Sequence, residues 1–98
     1  MADVTISLDS SSKTITVDKN KVRVSILGKD KVKWNCHDGG FQIKFKPGSS
    51  WPNPSTTNDG GVWKAEAGPF TSPPGTKLEY AVESTGYTPL DPEILVDP

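Results

Sequence analysis

Three groups of side chains in this 98-residue chain have the types and spacing to do chemistry: the adjacent pair Cys36-His37, the tryptophans, and a run of lysines. Cys36 and His37 are the single cysteine and the single histidine. A thiolate and an imidazole are good ligands for soft or borderline metals, but a site needs three or four donors, and only Asp38 follows. In an extended strand neighbours point to opposite faces. Cys36 therefore reads as a small buried hydrophobe and His37 as a surface turn residue. No metal and no cofactor is expected; Cys36 and His37 stand as the candidates for a non-standard metal or redox site. The same geometry works against a Cys–His nucleophilic dyad. There is no Gly-x-Ser-x-Gly elbow, and Gly39-Gly40 and Gly60-Gly61 lack the Lys and Ser/Thr of a phosphate loop. No enzyme activity is expected.

The tryptophans divide. Trp34 shares an alternating face with Val32 and reads as core. Trp51 sits in a proline-rich stretch and Trp63 at the edge of the following strand, and Phe70 is also harder to bury. An exposed Trp on a β-rich domain stacks on sugar rings or anchors a protein partner. Trp51 and Trp63 are thus candidate binding residues, for a protein or for a glycan. The alternative for Trp51 is that it folds back to close one end of the domain.

The lysines make a second surface. Lys31 and Lys33 share one face of a strand, and Lys44 and Lys46 share one face of the next. Were those strands paired, their outer face would be a basic patch, with the balancing acids mainly in the C-terminal third. Such a patch would dock an acidic partner or a second copy of the chain; the alternative is lysine protecting a sheet edge from aggregation. The acids offer little: Asp38 and Asp59 lie in Gly-rich turns, Asn58-Asp59-Gly60 lacks the ligand spacing of a calcium loop, and Asp91 between Leu90 and Pro92 suits a turn.

These residues are positioned by strands. Apolar side chains alternate at Val4, Ile6 and Leu8, at Ile15 and Val17, and at Val22, Val24 and Ile26. The alternation continues at Val32, Trp34 and Cys36, at Phe41, Ile43 and Phe45, and at Leu78, Tyr80 and Val82. Period two means one buried and one solvated face. Turn signals punctuate the runs at Asp18-Lys19-Asn20, Gly28-Lys29-Asp30, Asp38-Gly39-Gly40 and Pro73-Pro74-Gly75. No window sustains a helical period, and residues 63–67 offer at most one turn. Residues 47–61 read as one long Pro/Gly/Ser-rich crossover loop. A last strand is expected after Pro92, because proline cannot donate to a ladder. The spacing predicts an all-β Greek-key sandwich of about seven or eight strands, as one domain over residues 1–98.

Composition excludes further classes. Hydrophobic residues make up 33%, charged residues 23%, and the formal net charge is -1. There is no basic excess to draw nucleic acid or an anionic membrane. A lone cysteine rules out an internal disulfide. Met1-Ala2-Asp3-Val4 lacks a basic n-region and no apolar run suits a membrane span. The expected location is cytoplasmic if the chain is complete, and otherwise exported with a signal removed.

Two stretches resemble the cupredoxins, the blue-copper β-sandwiches. Val32-Lys33-Trp34-Asn35, followed by Phe41 and Phe45, is similar to the family's Val-x-Trp-x-Asn strand and its His-x-x-x-Phe segment, whose His binds copper. Residues 74–82, with Pro74, Gly75, Leu78, Tyr80 and Val82, are similar to the penultimate strand that delivers the copper-binding Cys. The resemblance implies that residues 83–92 are the loop that carries a second His and a Met, and that Ile94 to Val96 form the last strand. The ligands themselves are replaced. Phe41 stands at the His position, Val82 at the Cys position, and residues 83–92 contain neither His nor Met. A type 1 site needs two imidazoles and a thiolate, so the resemblance implies a cupredoxin-like domain without copper. An immunoglobulin-like sandwich is the alternative fold. The expected function is a non-catalytic interaction or structural module. The alternatives are a metal-binding or electron-transfer protein with a non-standard site, and a carbohydrate-binding module that uses exposed Trp.

Overall fold

The computed structural model describes residues 2–46 and 53–98. Among them the chain is all-β, without a helix. Its strands are β1 (Ala2–Asp9), β2 (Thr14–Val17), β3 (Lys21–Ser25), β4 (Val32–Cys36), β5 (Gln42–Phe45), β6 (Thr57–Asp59), β7 (Val62–Ala67), β8 (Lys77–Glu83) and β9 (Glu93–Asp97). They form a five-stranded sheet of order β2-β1-β4-β7-β6 and a four-stranded sheet of order β3-β9-β8-β5, packed as a sandwich. Both sheets are mixed: β1 runs parallel to β4 and β3 parallel to β9.

The alternation sets the core. Val4, Ile6, Ile15, Val32, Trp34, Cys36 and Ala65 point inward from the larger sheet. Val22, Val24, Ile43, Phe45, Leu78, Tyr80, Val82, Ile94 and Val96 face them from the smaller one. Each buried aliphatic side chain contributes about 1.5–3 kcal/mol of burial energy. No polar or charged residue is buried among those described, apart from the hydroxyl of Tyr80 and the indole nitrogen of Trp34, which satisfy each other. Phe70, expected to be hard to bury, is 3% exposed in the core.

Short corners carry the chain between sheets. At Asp18 the backbone N–H donates to the Thr5 carbonyl at 3.1 Å, while a side-chain oxygen accepts the Thr5 N–H at 2.8 Å. The corner after β3 is tied by Asp30, whose carboxylate accepts the Ser25 N–H at 2.9 Å. That bond holds the Asp30 carboxyl below the usual range.

Three expectations are corrected. The strands number nine among the described residues, not seven or eight. The stretch 47–61 is not one loop, because Thr57–Asp59 pairs with β7 through a two-residue turn at Gly60-Gly61, both at positive φ (62° and 94°). Two successive positive φ values define a type I′ turn, whose twist suits a hairpin. Residues 63–67 form strand rather than a helical turn.

Candidate functional site

Cys36 ends β4 facing inward and is fully buried, in register with Ile6 on one side and Trp63 on the other. His37, the next residue, is exposed. The thiol and the imidazole therefore open on opposite sides of the sheet. Among the described residues no three His, Cys, Asp or Glu side chains come together as a metal site. His37 instead borders a shallow concavity of about 640 Å³ on the outer face of the larger sheet, with Asn35, Lys33, Lys64 and Glu66.

The basic patch dissolves for a topological reason. The strand carrying Lys33 pairs with β1 and β7, whereas the strand carrying Lys44 pairs with β8 in the other sheet. Each lysine then meets an acid. Lys31 and Lys33 reach Glu66 at 3.2 and 3.9 Å, Lys44 reaches Glu83 at 3.0 Å, and Lys46 reaches Asp91 at 3.1 Å. The acids are interleaved with these lysines rather than held apart, and Lys31 and Lys33 share Glu66.

One end of the sandwich is built differently. The loop after β8 folds back over that strand: the Val82 N–H donates to the Leu90 carbonyl at 2.8 Å and Leu90 returns the bond at 3.1 Å. The Ser84 hydroxyl donates to the Gly40 carbonyl at 2.7 Å, which joins this loop to the β4–β5 turn. Gly40 lies against the Trp63 indole; a Cβ there would stand 3.6 Å from the ring. Trp63, expected to be an exposed Trp, is half-buried against the core because its side chain shares the inward face of Ala65; its backbone is paired on both sides, with Cys36 in β4 and Asn58 in β6. Tyr87 is held by its N–H bond to the Ser84 carbonyl at 3.0 Å and by the Lys13 ammonium 5.7 Å from its ring centre.

Between these parts runs an open groove of about 860 Å³. Its walls include the aromatic rings of Trp63 and Tyr87, the side chains of Gln42 and Ser84, and the ion pair of Lys44 with Glu83. Residues 53–56 close one side, where the Asn53 side-chain oxygen accepts the Phe45 N–H at 2.9 Å. Of the candidate residues, Trp63 and Lys44 thus meet at one groove, Lys31, Lys33 and Lys46 lie outside it, and Trp51 lies outside the described residues. Sequence reasoning missed Tyr87, Gln42 and Ser84. The available signal was an aromatic residue inside the small polar run Ser84-Thr85-Gly86-Tyr87.

The two positions at which the resemblance puts copper ligands are Phe41, 3% exposed, and Val82, fully buried. Both belong to the apolar core beside the groove. Set against models of known protein families, curated proteins and solved structures, the chain matches none.

Proposed function

We propose that this chain is a non-catalytic binding module on a cupredoxin-like Greek-key sandwich, without a type 1 copper site, and that it recognises its ligand through the groove beside Trp63. The observation that carries the reading is the chemistry of that end of the sandwich. Phe41 and Val82 fill the ligand positions with hydrocarbon, residues 83–92 bring no His, Cys or Met, and aromatic and polar residues line an open groove beside them.

The strand arrangement supports the cupredoxin-like part. β8 is followed by a folded loop and a last strand, as the resemblance implies, and the Val-x-Trp strand lies in the core of the larger sheet. Immunoglobulin-like sandwiches are built of antiparallel sheets, whereas each sheet here contains a parallel pair. The non-catalytic part rests on Cys36 and His37: a nucleophile and base must reach each other, and these open on opposite faces.

Native mass spectrometry after loading with copper and with zinc, followed by buffer exchange, tests the absent copper site. The expected result is apoprotein. One retained copper per chain with a thiolate absorption band would overturn it. A nuclear magnetic resonance screen with indole, phenol and isopropanol tests the groove. Shifts should gather at Gln42, Trp63, Ser84 and Tyr87, and shifts scattered over both sheets would remove the groove as the recognition surface.

A further inference from the structure

We propose that the groove takes a neutral oligosaccharide, with pyranose rings stacked on Trp63 and Tyr87 and hydroxyls bound by the surrounding amides and alcohols. This deepens, and rests on, the reading of the groove as the recognition surface.

Size comes first. The groove holds about 860 Å³, within the roughly 300–1,000 Å³ typical of small-molecule clefts. An open groove of this size accepts a short stretch of a chain-like ligand with its ends free.

Charge narrows the class. Among the described residues, the charged ones that line the groove are Lys44 and Glu83, and they pair with each other at 3.0 Å. A phosphorylated ligand or a nucleic acid gains its affinity from unmatched cations; among the described residues the lining itself offers none, and the nearby Lys13 is engaged over the Tyr87 ring. What remains are uncharged donors and acceptors, among them Gln42, Asn53, Ser55 and Thr85. Amides and alcohols facing aromatic rings match a molecule with hydroxyls on its rim and C–H groups on its faces, which describes a sugar ring.

Rigidity favours stacking. The Trp63 backbone is paired on both sides, and its half-buried ring packs against the core and rests on Gly40. Little rotamer freedom is left to lose on binding, which lowers the cost of association.

The edge of β5 argues against an extended peptide. Lys46 donates its N–H to Glu79 in β8, so alternation turns the N–H groups of Ile43 and Phe45 toward the other edge. There the Phe45 N–H is already taken by Asn53 at 2.9 Å. Strand addition needs a run of backbone donors and acceptors, and Asn53 interrupts that run. Among the described residues this leaves one outward N–H, that of Ile43, which suits a hydroxyl instead.

The test is titration of the isotope-labelled chain with cellohexaose, xylohexaose, chitohexaose and maltohexaose, with a polyproline peptide in parallel. At least one sugar should move the Trp63 indole N–H and the Gln42 and Ser84 amides saturably, leaving the buried Trp34 indole N–H unmoved. Trp63→Ala and Gln42→Ala should each weaken binding about tenfold, the size of one lost aromatic or polar contact. Should Trp63→Ala fail to fold, Trp63→Phe and the exposed Gln42→Ala carry the same comparison. Failure of every sugar while indole and phenol still gather in the groove overturns the oligosaccharide and leaves the binding module standing. Failure of both sugars and fragments overturns both. Saturable binding of the polyproline peptide alone assigns the groove to a peptide and overturns the sugar.

Discussion

The indole N–H of Trp34 donates to the hydroxyl of Tyr80 at 3.1 Å, across the interior from one sheet to the other. The rings meet edge to face, with centroids 5.3 Å apart and planes at 69°. Both side chains are fully buried, so neither polar atom has water as a substitute partner. Burial also pushes the Tyr80 hydroxyl pKa up, and keeps it protonated over the working pH range. Tyr80→Phe leaves a buried indole N–H without an acceptor. The expected loss is about 1–3 kcal/mol in urea unfolding at unchanged m-value. A loss below a few tenths would mean that the two sheets are joined by hydrocarbon packing alone.

The legibility of this core and of the groove differ for one physical reason. Strands such as Val4–Ile6, Val22–Val24 and Leu78–Tyr80–Val82 are written locally, because every second residue is apolar and ends up inside. The Trp34 core position followed from the same rule. β6 carries no such mark: Thr57, Asn58 and Asp59 are all exposed, and the strand exists because Gly60-Gly61 turns it onto β7. The lysine patch failed on pairing. Alternation says which face a side chain takes but not which strand lies beside it, and β4 lies beside β7, which carries Glu66. The groove was least legible, since Gly40, Trp63 and Ser84 meet only after three separate elements are folded.

Two glycines give a graded test of the backbone. Gly68 has φ +113°, and a Cβ there would lie 3.1 Å from both the Asp30 carbonyl oxygen and the Lys31 Cα. Gly60 has φ +62° and open space around it. Gly60→Ala should cost about 1–2 kcal/mol, the strain of a left-handed residue with a side chain. Gly68→Ala adds overpacking against backbone that cannot rotate away, for a total on the order of 3 kcal/mol or more. Equal midpoints for the two variants in urea would show that the Gly68 approach is relieved by movement.

Glu93 predicts a pH dependence. It sits between Lys21 at 3.2 Å and Lys77 at 3.5 Å. The Lys21 bond chiefly holds its carboxyl below its ordinary value of 4.5. A folded-state pKa lowered in this way adds stability that is complete above the unfolded value and is lost as pH falls through the folded one. Glu93→Gln should therefore lower the urea midpoint slightly near neutrality and flatten its decline between about pH 6 and pH 3. High salt should shrink the difference, because the pair is solvent-screened. An acid limb identical to that of the parent chain would show that Glu93 is not one of the carboxylates that set it.

Cys36 supplies a kinetic reading of the same core. Its side chain is fully buried between Ile6 and Trp63 in register, while His37 faces water. A thiol reagent can reach the sulfur only when the sandwich opens, so labelling reports the open population. Native labelling should be at least ~1,000-fold slower than labelling of the urea-unfolded chain, and should accelerate with urea in step with global unfolding. His37→Ala should leave that rate and the urea midpoint within about 0.5 kcal/mol of the parent. Tyr80→Phe should raise the native labelling rate by the factor its loss of stability implies, because both quantities measure the same opening. Fast labelling of the folded chain, unaffected by Tyr80→Phe, would place a local opening at the end of β4. It would return Cys36 to the set of residues able to meet a ligand.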